Sequence, residues 1–575
     1  MLPLAFGSCA GWLHRPASAP SSRGVVLCAA HGFEEFGARH AWRLLADEIA
    51  AAGLPTLRFD YPGVADSLGR DSDPDRVAAW LKSIGDAVAT LRREAGVREV
   101  YLVGLRLGAL LAAHAAARKD ISGLALLAPP LSGRAYGREI TALSSLLAPP
   151  GVSSVVEDEA VDGVETAGFL LSSGTIDALK ALDWRSAPAS PGSRVLIAAE
   201  NGAPSVAAAL GSGGAVIEAL AFEGQTALLR DPTTSLVPSR DWRALTAWLA
   251  DGAGPATPRL PRIAPPALLA GDGFTEELVA FGPGRCLPGV LTQPRGPALG
   301  RPVLLVLNAG GNPHTGWARQ TVDLCRKVAL GGVAALRMDL LGLGDAPRPT
   351  DGRDRIHYAD QSHEDVVAAL DWLEARGFGP VTLAGQCSGA YRAFHTAVAD
   401  PRVAGLVMLN NQIFSWREGQ SLDAAMRDSY RATGFYLARI ANREVWRRIV
   451  AGDVKVAGIA GELARRGWRA ARARLARSRR AAGPNPVRGA FEALSERGCR
   501  VLLVYSEDDG GRDELARHIG PGGREAEALP GLSLRIIPGA DHNLTPRHAR
   551  ETYARCVEEF LAGVEKAGAE RSVAA

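Results

Sequence analysis

The sequence repeats itself once, over a length that corresponds to a whole domain. Leu57-Arg-Phe-Asp-Tyr-Pro-Gly-Val-Ala-Asp66 returns as Leu336-Arg-Met-Asp-Leu-Leu-Gly-Leu-Gly-Asp345, about 280 residues further on. Gly104-Leu-Arg-Leu-Gly-Ala109 returns as Gly385-Gln-Cys-Ser-Gly-Ala390, and similar segments open at Ala5 and Ala280. Three landmarks in one order at a near-constant offset mean two related folds in series. They do not mean a solenoid, because the period is too long for a stacked repeat. The expected division is a first domain over 1–250, a Pro-, Gly- and Ala-rich linker over 251–273, and a second domain over 274–575.

Within each copy the pattern alternates between short apolar runs and helical periodicity. In the second copy, Val303–Leu307 reads as a buried strand, Gln320–Leu330 as a helix and Val333–Met338 as a strand. Glu364–Ala375 has apolar residues at helical spacing, and Val381–Ala384, Gly405–Leu409 and Val501–Tyr505 read as further strands. A β-α-β series of this kind implies a mainly parallel sheet covered by helices, so the expected fold class is α/β, twice over.

Composition removes several alternatives. With 47% hydrophobic and 22% charged residues the chain is globular in type, and a net charge of +3 does not point to nucleic acid. Its seven cysteines are scattered, with no C-x-x-C pair, so neither a disulfide framework nor a metal or redox motif is expected. A reducing cytoplasm fits best, with no membrane span, no secretion signal and no cofactor.

The chemistry concentrates in the second copy. An apolar strand, then Gly385-Gln-Cys387-Ser-Gly389, then a helix, is a nucleophile elbow: flanking glycines allow a sharp turn that presents the middle side chain. Val501-Leu-Leu-Val-Tyr505 runs into Ser-Glu-Asp508-Asp509, where an acid belongs, and Ile536-Ile-Pro-Gly-Ala-Asp-His542 places a His in a loop after a strand. The order nucleophile, acid, His predicts a Cys387, Asp509, His542 triad, with Asp508 as the rival acid and Ser388 as the rival nucleophile. The oxyanion donors expected are the backbone N–H groups of Ser388 and Gly310. Small strand–helix turns and solvated loop histidines are common taken singly; the three contexts in this order carry the reading.

On these residues the chain resembles the α/β-hydrolase superfamily, close to the serine-aminopeptidase-like hydrolases. The second copy is similar to the exosortase-A-associated hydrolases over residues 274–563, through Asn308-Ala-Gly-Gly-Asn-Pro-His314-Thr-Gly316-Trp317-Ala-Arg319 and Asp339-Leu-Leu-Gly-Leu-Gly-Asp345. It departs from them in lacking an Arg after His314 and in having Trp317 where they carry Pro. The resemblance implies a hydrolase or acyltransferase acting on small esters or thioesters. His314, Trp317, Arg319 and Trp416 are the expected substrate- or partner-binding residues.

The first copy resembles the second type of exosortase-associated hydrolase, but its elbow carries Arg106, which cannot act as an acyl nucleophile. Its expected His loop, Gly224–Pro238, contains no His, so a non-catalytic domain is expected. Its open roles are shaping the entrance to the second copy, homodimerisation and docking a partner; Arg106 itself either binds an anion or sits in a structural ion pair.

Residues 414–490 interrupt the second copy as a helical, aromatic lid, with Arg465, Arg466, Arg469, Arg472, Arg474, Arg477, Arg479 and Arg480 in a run without acids. A solvated face accounts for such a run, as does docking of an acidic carrier protein, the phosphates of CoA or an anionic glycan. A Cys nucleophile tilts the chemistry toward acyl transfer through a thioester acyl-enzyme. Hydrolysis of a small ester, thioester or lactone is the alternative reading, and a non-catalytic scaffold the third.

Overall fold

The computed structural model describes the chain apart from residues 18–19, 118–119, 148–161, 188–192, 201–202, 213, 256–265, 297, 299–300, 350–357, 359–362, 417–484, 527 and 575. The first half contributes ten strands: β1 (Leu2–Phe6), β2 (Cys9–His14), β3 (Arg23–Cys28), β4 (Thr56–Phe59), β5 (Glu99–Leu105), β6 (Gly123–Leu127), β7 (Gly163–Thr166), β8 (Phe169–Ser172), β9 (Arg194–Ala199) and β10 (Val216–Ala221). The second contributes β11 (Ala267–Ala270), β12 (Phe274–Phe281), β13 (Leu287–Pro294), β14 (Val303–Leu307), β15 (Ala334–Met338), β16 (Val381–Gln386), β17 (Val403–Leu409), β18 (Arg500–Ser506) and β19 (Leu532–Ile537).

The duplication extends to the order of the main sheet strands. The first sheet runs β1-β2-β4-β3-β5-β6-β9-β10, and the second runs β11-β12-β13-β15-β14-β16-β17-β18-β19. In both, antiparallel strands form the start and parallel strands the rest. The second sheet has one extra edge strand: β11 lies inside the stretch read as linker and pairs antiparallel with β12. Central strands such as β14, Val-Leu-Leu-Val-Leu, are buried throughout, as helices on both faces require. In the first domain, helix Arg76–Ala95 lays Val77, Trp80, Ile84, Ala87, Val88 and Leu91 on one face of the sheet. It ends at Gly96, whose φ of 69° suits glycine. Helices Phe33–Ala51 and Ser239–Ala250 cover the other face. Helices Gln320–Leu330 and Arg547–Ala574 take the equivalent place in the second domain, opposite His363–Ala375 and Ser388–Ala399.

The repeated Leu-Arg-x-Asp-x-x-Gly-x-x-Asp segment is where the two copies meet. In each copy the first Asp accepts the backbone N–H of the second: Asp66 N to Asp60 Oδ2 at 3.2 Å, Asp345 N to Asp339 Oδ2 at 2.7 Å. In each copy the first Asp also holds a basic side chain, Arg39 on Asp60 and His314 on Asp339. That base then crosses to the second Asp of the other copy. Arg39 Nη2 lies 3.0 Å from Asp345 Oδ2, and His314 Nε2 lies 2.7 Å from Asp66 Oδ2. The strand arginines cross in the same sense, Arg58 Nη1 to Asp345 Oδ1 at 2.6 Å and Arg337 Nε to Asp66 Oδ1 at 3.0 Å. Reciprocal contact of equivalent residues is the signature of two-fold pairing, realised here inside one chain. An apolar patch flanks it, with Ala10 and Trp12 against Leu269, Leu278 and Val290.

Burying these charges costs several kcal/mol per ion, offset here because each crossing carboxylate meets two cations from the other copy. Burial alone would raise the Asp66 carboxyl, but His314 and Arg337 hold it well below the usual range. Burial would likewise lower His314, yet Asp339 and Asp66 outweigh it and raise the imidazole to about 10. Two outcomes are expected. Asp345→Ala strands Arg39 and Arg58 without their shared partner and should cost about 3–5 kcal/mol. Calorimetry should show one transition moved down; two separated transitions in the parent chain would mean that the halves unfold independently. Because the folded His314 pKa is raised, its contribution to stability is complete below pH ~6.5. It is lost as pH rises through about 10. Urea titrations of His314→Gln against the parent chain should converge over that window.

Candidate active site

The two elbows share one backbone conformation. Arg106 sits at φ 54°, ψ −118° and Cys387 at φ 52°, ψ −117°, a strained region for a side-chain-bearing residue. The glycine spacing follows from close approach. A Cβ on Gly385 would lie 2.3 Å from the Gly389 backbone, and one on Gly389 would lie 2.8 Å from the Asn308 carbonyl oxygen. In the first domain a Cβ on Gly108 would lie 2.2 Å from the Cys28 and Ala29 oxygens.

At the second elbow the structure brings Cys387, His542 and Asp509 together. Asp509 follows β18, His542 follows β19, and His542 Nδ1 lies 2.6 Å from Asp509 Oδ2. Asp509 is buried whereas Asp508 is exposed. The other Asp509 oxygen accepts from Gln412 Nε2 at 2.7 Å and from the Gly511 N–H at 2.8 Å. The His542 carbonyl accepts from Gln386 Nε2 and from Asn410 Nδ2, so the His loop is tied to the elbow strand and to the end of β17. Burial alone would raise the Cys387 thiol, but the hydrogen bond and charge of His542 outweigh it and lower it. Burial without such a partner pushes the thiols of Cys9, Cys28 and Cys325 up to about 12. Tyr358 Oη stands 3.5 Å from Cys387 Sγ and stacks on Trp416, which places Trp416 beside the site.

Gly310 is at the site as well, and its N–H donates to the Ser388 hydroxyl at 2.8 Å. That hydroxyl points at the loop after β14, while Cys387 occupies the tip of the turn.

Three residues expected at a substrate lie elsewhere. His314 is fully buried between Asp339 and Asp66. Trp317 donates to the Ala167 carbonyl at 2.7 Å and packs on Phe33 and Phe36 of the first domain. Arg319 donates to the carbonyls of Ala65, Ser67 and Gly69. All three are engaged in the contact between the copies, while Trp317 also lines the small cavity that reaches Gly385 and Gln386. Of the lid, only 414–416 and 485–490 fall among the described residues; Tyr430, Phe435, Tyr436, Trp446, Trp468 and the arginines of 465–480 lie outside them.

Asp66, His314 and Asp345 offer atoms within 4.8 Å of one another, a spacing that a metal ion could use. His314 faces a carboxylate from each ring nitrogen and so carries both protons, leaving no lone pair for a cation. Arg39, Arg58 and Arg337 already occupy the carboxylates.

The first elbow is closed by an ion pair. Arg106 Nε lies 2.6 Å from Glu34 Oε1, Nη2 pairs with Glu139, and the guanidinium stands over Tyr136. Glu200, where an acid would sit, accepts from Thr226 in the loop that lacks a His.

Gln412, Gln386, Asn410 and Tyr358 were not singled out from sequence. A signal existed for two of them: Asn410-Asn-Gln412 is a polar triplet directly after a continuous apolar strand. Tyr358 carries no such mark. The lowered Cys387 thiol has a measurable consequence. Its iodoacetamide rate against pH should turn below the ordinary thiol value of about 8.5. In His542→Ala only the Tyr358 hydrogen bond still opposes burial, so the midpoint should move above that value and the rate at pH 7 should fall about tenfold or more. An unmoved midpoint would separate His542 from the thiol.

Comparison with known proteins agrees with the two sheets. An alpha/beta hydrolase family model matches residues 303–555, and a serine aminopeptidase S33 model matches residues 20–161. Among solved structures, Est1E from Butyrivibrio proteoclasticus is 14% identical, covering 50% of this chain and 98% of its own, with a TM-score of 0.30. A haloalkane dehalogenase loop variant from Bradyrhizobium elkanii is 19% identical, covering 52% of this chain and 99% of its own, with a TM-score of 0.31. Carboxyl esterase 2 from Tuber melanosporum is 14% identical, covering 51% and 87%, with a TM-score of 0.31. No curated protein matches the sequence. With a hydrolase family model on each half and one sheet order built twice, the chain belongs to the α/β-hydrolase superfamily, as a hydrolase-like enzyme of two such domains in tandem.

Proposed function

We propose that the second domain moves an acyl group from an ester or thioester to an acceptor through a thioester on Cys387. The observation that carries this reading is the arrangement at the elbow: Cys387 at the tip of the turn, hydrogen-bonded to His542, whose Nδ1 lies 2.6 Å from Asp509. His542 accepts the thiol proton, and Sγ attacks the acyl carbon. The carbonyl oxygen becomes an oxyanion that receives the Ser388 N–H at the start of helix Ser388–Ala399. It also competes with the Ser388 hydroxyl for the Gly310 N–H. On collapse the C–O or C–S bond to the leaving group breaks, and His542 returns the proton to it. The acceptor then repeats the sequence in reverse. A thioester acyl-enzyme reacts readily with amines, which favours transfer; water as acceptor gives the hydrolytic alternative.

The acyl donor in this reading is carried on CoA or an acidic carrier protein, and the arginines of 465–480 supply the charge for it. The first domain does no chemistry of its own, because Arg106 fills its elbow and is neutralised by Glu34 and Glu139.

Intact-mass spectrometry after incubation with p-nitrophenyl esters and a panel of acyl-CoAs tests the assignment. One acyl adduct is expected on Cys387, lost in Cys387→Ala and kept in Ser388→Ala, where the Gly310 N–H is released. His542→Ala should slow acylation by about 10²–10⁴. An adduct on Ser388, or none with any donor, would overturn it.

A further inference from the structure

Within its own domain the loop that carries Gly310 donates to the Ser388 hydroxyl and packs on Gly389. Behind it lies a cavity of about 30 Å³, lined by Asn308, Ala309, Asn312 and Gln320 among others. The buried Asn308 Oδ1 and Gln320 Oε1 have no protein hydrogen-bond partner. A backbone beside a cavity gains less support from packing on that side. What holds it is a chain of hydrogen bonds. Asn308 Nδ2 donates to the Asn312 carbonyl at 3.0 Å and to Asp339 Oδ1 at 3.1 Å, and the His314 N–H donates to Asp339 Oδ1 at 2.7 Å. The His314 ring then spans from Asp339 to Asp66 of the first domain.

The first domain also touches the loop from outside. A Cβ on Gly311 would lie 2.6 Å from the Pro232 carbonyl oxygen and 2.9 Å from the Thr233 nitrogen, and one on Gly310 would lie 3.4 Å from Thr233 Oγ1. Backbone therefore packs on backbone there. Pro232 and Thr233 belong to Gly224–Pro238, the loop in which the first domain lacks its His. The Gly310 loop thus lies between the hydrogen-bonded Asp339–His314–Asp66 row and the Pro232–Thr233 backbone.

We infer that the first domain is a positioning subunit carried in cis: Asp66, through His314, together with the Pro232–Thr233 backbone, holds the Gly310 loop in register with Cys387. The catalytic consequence rests on the reading of Gly310 as an oxyanion donor. Asp66 touches no substrate in this scheme; it acts through His314 on a loop of the other domain. A loosened Gly310 loop would weaken oxyanion stabilisation while leaving Cys387, His542 and Asp509 in place, since their ties run to Gln386, Asn410 and Gln412. Acylation needs the oxyanion donor. Alkylation by iodoacetamide, a displacement at a saturated carbon, does not.

The test uses the full chain carrying Asp66→Asn. Its kcat for p-nitrophenyl acetate should fall roughly tenfold or more with KM little changed, while the iodoacetamide rate at Cys387 stays within about twofold. Hydrogen exchange of the amides in 308–314 should quicken about tenfold, with those around 509 and 542 unchanged. If the parent chain alkylates at Cys387 but is not acylated, the acyl-transfer reading has failed, and the exchange measurement still decides whether Asp66 holds the loop. If Asp66→Asn does not fold, Asp66→Glu keeps the charge and displaces the carboxylate, and the same two readouts apply. Equal loss of acylation and alkylation, unchanged exchange in 308–314, or failure of both variants to fold would overturn the proposal.

Discussion

Two carboxylates, Asp66 and Asp345, sit at the centre of this molecule, and each is neutralised mainly by the other domain. Asp345 receives Arg39 and Arg58 from the first domain, and Asp66 receives His314 and Arg337 from the second. None of these side chains is at the surface, so both carboxylates depend on partners across the boundary to stay charged. Pairing of this kind contributes little net energy compared with apolar packing, yet it is unforgiving of a wrong register, because one misplaced partner leaves a bare buried charge. The rest of the arrangement depends on it: which faces meet and where the His314–Arg319 segment lies.

The two elbows separate scaffold from chemistry. Arg106 and Cys387 occupy nearly the same backbone geometry, set by glycines that admit no side chain where strand and helix cross. Retaining that geometry does not retain the nucleophile. At one elbow the side chain is an Arg locked between Glu34 and Glu139; at the other it is a thiol facing His542. A fold built twice thus carries a hydrolase-type constellation once.

Much of this was legible in the sequence because it depends on short-range pattern. Helix Gln320–Leu330 and strand Val303–Leu307 have the bounds that periodicity suggests, and Val381–Gln386 runs only two residues past its expected end. Asp509 is told from Asp508 by its distance from the strand end, since the geometry of a loop leaving a parallel strand decides which side chain turns inward. Strand β11 was not legible: Ala267–Ala270 is a few residues between Pro- and Gly-rich stretches, and only its pairing with β12 makes it a strand.

The sequence alone determined the duplication, the α/β class of each half, the elbow and the residues able to form a triad, because each is written in spacing along the chain. Tertiary structure decided what the repeated Asp loops and the His314–Arg319 segment do. In sequence His314, Trp317 and Arg319 belong to a motif beside the loop that carries Gly310 and look like ligands for a substrate or a partner. In three dimensions they reach Asp66, Ala167, Ala65, Ser67 and Gly69 in the other copy. No pattern within one domain encodes a contact whose second half lies in another. A buried charge shows which partner neutralises it only when both chain segments are brought together in space.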